Sequence, residues 1–328
     1  MSLNRSAEAS REGHTVLSLA ERSRSHERVS PAVLTIELRK EFRTTTALSG
    51  LSMTVGRGEV FGFLGPNGAG KTTAVKLLLG LVRPSGGEAM VLGAPAGDRE
   101  TRRRIGYLPE LFRFQSWLTA AEVLLLHCRL IQLPRDQAAR SIDDALETVG
   151  LTERRRDKVG TFSKGMQQRL GLAVALVGQP DLVILDEPTS ALDPVGRHDV
   201  RGIIRAVRDR GATVFLNTHL LEEAEHVCDR VCVIDRGRSI ATGALADLLG
   251  GTSTVRLMVT GLNSDDLRVI GPFGDVARVG DWLTVARIEP EQIPSLVDAV
   301  VKAGGRIGAV IPEHQSLEER FLELLAKP

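Results

Sequence analysis

Val60-Phe61-Gly62-Phe63-Leu64-Gly65-Pro66-Asn67-Gly68-Ala69-Gly70-Lys71-Thr72-Thr73 is the stretch that decides the fold. Its first five residues are a short apolar run, the pattern of a strand buried on both faces. Gly65–Thr72 then reads G-x-x-x-x-G-K-[ST], and Val75, Leu78 and Leu79 supply the apolar stripe of a following helix. Strand, glycine-rich loop and helix is the context this pattern requires. Each part has a chemical reason. Glycines let backbone N–H groups converge on phosphate oxygens with no Cβ in the way. Lys71 places a compact positive charge on the β- and γ-phosphates, and Thr72 offers a hydroxyl to Mg²⁺. The helix adds its positive N-terminal end. The stretch predicts a nucleotide-binding loop.

Such a loop needs a metal-binding carboxylate at the end of a neighbouring strand. Leu182-Val183-Ile184-Leu185-Asp186-Glu187 supplies it. Four apolar residues predict a buried strand, and Asp186 emerges at its C-terminal end, where open α/β sheets bind ligands. Asp186 is expected to hold Mg²⁺ directly or through water. Glu187, facing the other way, is placed to take a proton from an attacking water. His219 follows the buried run Ala212–Leu216 in Asn217-Thr218-His219. Parallel strands put it on the same sheet edge as Asp186, so it is expected near the γ-phosphate. Taken singly, these residues also fit an acidic turn and a satisfied polar histidine; the phosphate loop favours the site.

Working outward, 328 residues suggest roughly two domains. The 42% hydrophobic and 25% charged content is that of a globular chain, which excludes a disordered or collagen-like protein for most of its length. A net charge of +1 argues against nucleic acid as a partner. No apolar run approaches the ~20 residues of a membrane helix, and no secretory signal is visible, so a soluble cytoplasmic chain is expected. Cys128, Cys228 and Cys232 read as buried reduced thiols.

Residues 1–32 are polar and read as a flexible tail, with a possible helical turn at Val16–Ala20. Leu34–Leu38 and Leu51–Val55 alternate like strands. Thr119 is placed to cap a helix containing Val123, Leu124, Leu125 and Leu130, which Pro134 breaks. A second helix carries Ile142, Leu146, Val149 and Leu151 and ends at Gly150. Val200, Ile203, Ile204 and Val207 mark a helix between two buried strands, and this βαβ alternation predicts a parallel sheet covered by helices. Gly250-Gly251 punctuates a boundary. Beyond it the order β-α-β-β-α-β-α, with a first helix at Ser264–Val269 and a last at Ser316–Leu325, suggests a ferredoxin-like domain.

Between the phosphate loop and Asp186 lies Thr161-Phe162-Ser163-Lys164-Gly165-Met166-Gln167-Gln168-Arg169. This resembles the signature motif of the ATP-binding subunits of ABC transporters. Ser190-Ala191-Leu192-Asp193 resembles their D-loop, His219 falls on the switch histidine, and Phe42 takes the place of the aromatic that stacks on adenine. The resemblance covers about residues 33–250. Lys164 and Met166 stand where glycine and glutamine are usual, and Glu110 where a glutamine usually bridges Mg²⁺ and the helical subdomain. Both departures, and the C-terminal extension, are similar to ATPase subunits of drug, antibiotic and sodium exporters of the ABC-2 type.

The resemblance implies an α/β P-loop NTPase of the ABC cassette type: a mixed sheet core at 33–250, an inserted helical subdomain at about 112–170, and an α+β accessory domain at 251–328. It implies ATP hydrolysis with Mg²⁺ held by Thr72, Glu110 and Asp186. The nucleotide would meet Gly65, Pro66, Asn67, Gly68, Ala69, Gly70, Lys71, Thr72 and Thr73 of one subunit. Ser163, Lys164, Gly165 and Met166 would come from a second ATPase subunit in a head-to-tail dimer, and Asp193 would connect the two sites. A separate membrane permease is implied, holding the chain on the inner face of the cell membrane. It would dock at 107–135, with Phe112, Phe114 and Trp117 as contacts or, equally, as core. A soluble ABC-type ATPase of translation or DNA repair is the alternative. It is disfavoured by a lone phosphate loop and by the lack of a long coiled-coil insertion between Lys71 and Asp186.

Overall fold

The computed structural model describes residues 30–190, 192–249, 253–263, 266–313 and 316–326. The expected N-terminal tail up to residue 29, the turn at Val16–Ala20 and the Gly250-Gly251 boundary lie outside the described residues.

An antiparallel sheet comes first, built from β1 (Val33–Phe42) and β2 (Thr45–Val55). After β3 (Val60–Leu64) and α1 (Lys71–Leu78), it is completed by β4 (Gly86–Val91) and β5 (Ala94–Pro95), in the order β2-β1-β4-β5. The helical region follows, with α2 (Arg99–Arg102), β6 (Ile105–Leu108), α3 (Ala120–Leu130), α4 (Arg135–Thr148) and α5 (Lys164–Leu176). Then come β7 (Leu182–Asp186), α6 (Pro194–Asp209), β8 (Thr213–Thr218), α7 (Leu221–Val227), β9 (Arg230–Asp235), β10 (Arg238–Ala244) and α8 (Leu245–Leu249). The central sheet runs β10-β9-β3-β8-β7-β6. Its strands are parallel except β10, which pairs antiparallel at the edge.

Strand alternation gives this sheet two cores. Phe61, Phe63, Leu182, Ile184, Phe215 and Ile234 face α1 and the antiparallel sheet, meeting Leu48, Leu51, Val75 and Leu78. Val60, Leu64, Val183, Leu185, Val214 and Leu216 face the helices on the other side. Burial on both faces is why these strands read as continuous apolar runs and not as alternating ones. Gly62 lets α7 approach: a Cβ there would lie 2.8 Å from the Cys228 sulfur and 2.9 Å from a Val231 methyl. Cys128, Cys228 and Cys232 are buried and free.

The helix signals act as read. Thr119 forms a capping box with Glu122, and α4 starts directly after Pro134. Val200, Ile203, Ile204 and Val207 of α6 all turn inward. β1 departs from simple alternation. Val33 and Thr35 point inward, but a backbone φ of 48° at Glu37 and a register shift between Ile36 and Arg39 reset the phase. Leu38 is then buried, whereas Ile36 is 50% exposed. A bulge adds one residue to the count, which a strict period of two cannot anticipate.

The third sheet holds β11 (Ser253–Thr260), β12 (Asp275–Val279), β13 (Trp282–Ile288) and, after α9 (Ile293–Lys302), β14 (Arg306–Glu313). Its order is β12-β13-β11-β14, all antiparallel. That is a ferredoxin-like strand order. Its core joins Val255, Leu257, Leu283 and Val285 to Leu296 and Val300 of α9. The first crossover differs from expectation: Asp266–Val269 and Gly271–Phe273 form short 3₁₀ turns in place of an α-helix, and residues 264 and 265 lie outside the described residues. Pro272 and the flanking glycines Gly271 and Gly274 stop a helix from propagating.

The final helix, α10 (Leu317–Ala326), packs elsewhere. Leu317 is 1% exposed and belongs to the helical-side core of the central sheet. Its backbone N–H donates to the Glu225 carboxylate of α7 at 3.2 Å.

Candidate nucleotide site

β3 delivers the chain to a loop whose backbone only glycine accommodates. Gly68 has φ 83° and Gly70 φ 105°, and a Cβ on Gly70 would stand 2.4 Å from the Ala47 carbonyl oxygen. Gly70 precedes α1, so the helix begins at the loop and its free N–H groups face the same space. Lys71 is 7% exposed, with Nζ donating to the carbonyl oxygens of Gly65 at 2.7 Å and Pro66 at 3.2 Å. Burial pulls its pKa below the ordinary lysine value, against the opposing charges of Glu187, Asp186 and Glu110.

β7 and β8 end side by side in parallel register, with Asp186 opposite Asn217. Asp186 is 2% exposed. Burial pushes its carboxyl up; Glu110 and Glu187 add to this, while the Asn217 hydrogen bond and Lys71 oppose it. The Asn217 side-chain N–H is the donor to Asp186 Oδ1. Glu187 has φ 53°, a left-handed conformation that costs an ordinary residue energy and recurs at functional sites. Its N–H donates to the Asn217 carbonyl at 2.8 Å, which holds the turn. Its Oε1 accepts the His219 backbone N–H at 3.0 Å and lies 2.8 Å from His219 Nδ1; its Oε2 accepts the Thr218 hydroxyl at 3.3 Å. The acid and the histidine named from sequence are therefore in direct contact.

A cavity of about 340 Å³ gathers these parts. Asn67, Gly68, Gly70, Lys71, Thr72, Thr73, Glu110, Glu187, Asn217 and His219 line it, with Thr45, Thr46 and Ala47 from the β1–β2 hairpin. That volume is in the range of small-ligand sites. The Thr72 hydroxyl and Glu110 carboxylate at its wall are hard oxygen donors of the kind Mg²⁺ takes, as is the buried Asp186 carboxylate, which Asn217 holds by a hydrogen bond and which does not itself line the cavity. Asn217 Oδ1 is buried with no partner among the described residues, as a polar atom at an ion site would be. Tyr107 sits beside the site, its pKa pushed up to about 12 by burial and by the charges of Asp186 and Glu110.

Other sequence-named residues stand apart from this cavity. Ser163 caps α5, accepting the Met166 N–H at 3.2 Å, and Lys164 is exposed. A Cβ on Gly165 would meet nothing within 4 Å, so this helix start is open. The Met166 side chain packs on the core. Asp193 caps α6, accepting the Gly196 N–H at 2.8 Å. Phe42 is 45% exposed under Lys40 Nζ, 4.7 Å from the ring centre, and does not line the cavity. Phe112 and Phe114 pack on each other and on the core, with ring centres 5.2 Å apart, while Trp117 is 68% exposed. Sequence reasoning missed Asn217 and Tyr107. The signal for Asn217 was available: an amide at the end of a buried strand, beside the acid-bearing one.

Strand, glycine loop, helix and paired acids define a P-loop nucleoside triphosphatase. The ABC transporter family profile matches residues 48–190. An uncharacterized ABC transporter ATP-binding protein of Nostoc sp. is 39% identical over 313 residues, covering 90% of each chain. The Nod factor export ATP-binding protein I of Rhizobium sp. is 37% identical over 298 residues, covering 88% of this chain and 95% of that one. A solved ATP-binding subunit of an ABC transporter superposes with a TM-score of 0.60 at 32% identity, over 66% of this chain and 91% of the other. The chain belongs to the ATP-binding subunits of ABC transporters, a family of ATPases whose cassette binds ATP.

Proposed function

We propose that this chain is the ATP-hydrolysing subunit of a two-component ABC exporter. Lys71 and the backbone N–H groups that the Gly65–Thr73 loop carries (all but Pro66) hold the phosphates, while Thr72, Asp186 and Glu110 hold Mg²⁺. Glu187 takes the proton from the attacking water, and His219 holds Glu187 and senses the γ-phosphate. Phe42, exposed at the end of β1 and outside the cavity, is left to stack on an adenine that projects beyond it. The observation that carries this reading is the convergence of Lys71, Glu187 and His219 on one cavity, with the Ser163–Met166 helix start standing open and outside it. One chain surrounds the nucleotide on one side only. A second copy, placed head to tail, supplies Ser163, Lys164, Gly165 and the backbone of Met166, with Asp193 joining the two sites. ATP then acts as the adhesive, and hydrolysis opens the pair.

Among the described residues no helix is long and apolar enough to cross a membrane, and the transport path in this reading belongs to a separate permease. Leu111 and Trp117, 87% and 68% exposed, belong to the same stretch of chain as Phe112 and Phe114, which with Tyr107, Pro109, Leu126 and the polar Arg113, Gln115 and His127 line a cavity of about 370 Å³. This face suits an apolar cytoplasmic helix of the permease and would place the chain peripherally at the membrane. Residues 33–249 together with α10 form the cassette, and the β11–β14 sheet forms an accessory domain. If a protein of about six apolar helices is encoded beside this chain, coexpression with it is expected to yield a copurifying membrane complex. Its ATPase activity should be lost in Lys71→Ala. Hydrolysis by Lys71→Ala at the wild-type rate would overturn the site assignment, and a permease that never copurifies would overturn the transporter reading.

A further inference from the structure

Asn217 is 1% exposed and stands between the two acids of the site. Its side-chain N–H group donates to Asp186 Oδ1, and its main-chain carbonyl accepts the Glu187 N–H at 2.8 Å. The orientation of its amide follows from charge. Turning Oδ1 toward the Asp186 carboxylate would set acceptor against acceptor, so the nitrogen faces the acid and the oxygen is left over. That oxygen has no partner among the described residues, although a buried amide oxygen is normally satisfied. The residue also lines the nucleotide cavity, together with Lys71, Thr72 and Glu110. Asn217 thus reaches the cavity wall with its donor used on Asp186 and its buried acceptor unused.

We infer that Asn217 is a positioning residue for the metal end of the site: its amide N–H fixes the Asp186 carboxylate, and its Oδ1 accepts a hydrogen bond from a water in the hydration shell of the bound Mg²⁺. Mg²⁺ sheds its waters reluctantly and is usually held by few protein ligands, so acceptors for those waters are part of a good site. Partners of this second layer are worth about ten- to a hundredfold in metal affinity. The inference rests on the nucleotide-site reading above, and its test separates the two.

ATP binding to the full chain is titrated by calorimetry with EDTA and with increasing Mg²⁺, for wild type, Asn217→Leu and Asn217→Asp. Leucine has nearly the same volume and removes both donor and acceptor. It is expected to raise the half-saturating Mg²⁺ concentration at least tenfold, while metal-free ATP affinity stays within about twofold. Aspartate keeps an acceptor but loses the donor, and is expected to fall between leucine and wild type. An unfolded Asn217→Leu would be replaced by Asn217→Ser, which leaves room and is expected to shift the Mg²⁺ midpoint in the same direction. A wild-type Mg²⁺ midpoint in a folded leucine or serine variant overturns the inference. So does an equal loss of metal-free and Mg²⁺-dependent binding, which would mark a structural role alone. A wild-type chain that binds no ATP would overturn the nucleotide-site reading instead.

Discussion

Replacing Glu187 by glutamine tests the chemistry most directly, because the surroundings fix what else changes. The carboxylate takes two contacts from His219 at Oε1, at 2.8 and 3.0 Å, and one from Thr218 at Oε2. A glutamine has the same shape. Its Oε1 can keep both histidine contacts, and its amide N–H can donate to the Thr218 hydroxyl, which already accepts the Leu220 N–H at 3.0 Å. The fold should therefore hold, with a cost of about 1 kcal/mol for a weakened hydrogen bond. What is lost, on the proposed reading, is the proton acceptor. General-base catalysis supplies about a hundred- to ten-thousandfold in rate, or about 3–5 kcal/mol of barrier. Phosphate release is expected to fall by that factor while ATP affinity stays within about twofold. Light scattering should then show an ATP-dependent dimer that persists in the variant and dissociates in the wild type. Hydrolysis within twofold of wild type, by a protein with an unchanged melting temperature, would refute the assignment of Glu187 as base.

Asp186 carries a raised pKa because it is buried. Its protonated form therefore stabilises the folded chain below the unfolded carboxyl value of 3.8, and that stabilisation is lost as pH rises through the folded value. At neutral pH the buried charge is a net cost to the nucleotide-free chain. Asp186→Asn is expected to raise the nucleotide-free melting temperature by about 2–4 °C per kcal/mol recovered, while abolishing Mg²⁺-dependent hydrolysis; calorimetry and phosphate release check both. Tyr107 is the chain's single tyrosine, so ultraviolet titration of tyrosinate reads it alone. Its midpoint should fall near 12 and not near 10. Gly106→Ala would place a Cβ 1.8 Å from the Ala175 carbonyl oxygen, pressing β6 away from α5. Denaturant unfolding is expected to show a loss of more than about 2 kcal/mol, or no folded protein at all.

The parts that were legible in the sequence are those fixed by local chemistry. The phosphate loop needs its glycines within a few residues of Lys71, and the capping box at Thr119 and Glu122 closes within one helical turn. Buried parallel strands announce themselves as apolar runs. The rest depended on partners distant in the chain. The phase of β1 turns on a bulge at Glu37 that pairing with β2 and β4 sustains. Asn217 acquires its proposed role only because register sets it opposite Asp186. The apolar stripe of α10 was visible, but amphipathicity states that a face is buried and not against what.

The placement of α10 changes what kind of attachment the β11–β14 sheet has. A domain at the end of a chain hangs by one linker and can swing through a wide cone. Here the polypeptide leaves the cassette after α8, builds the sheet, and returns to seat Leu317 in the cassette core. The sheet is topologically an insertion held at both ends, closer to a handle than to a pendant. Two fixed points remove most of the orientations that one would allow. The second point is α7, which begins two residues after His219. Any partner that pulls on the sheet therefore pulls on the segment that carries the histidine, and cutting the chain after α8 would strip the cassette of part of its own interior.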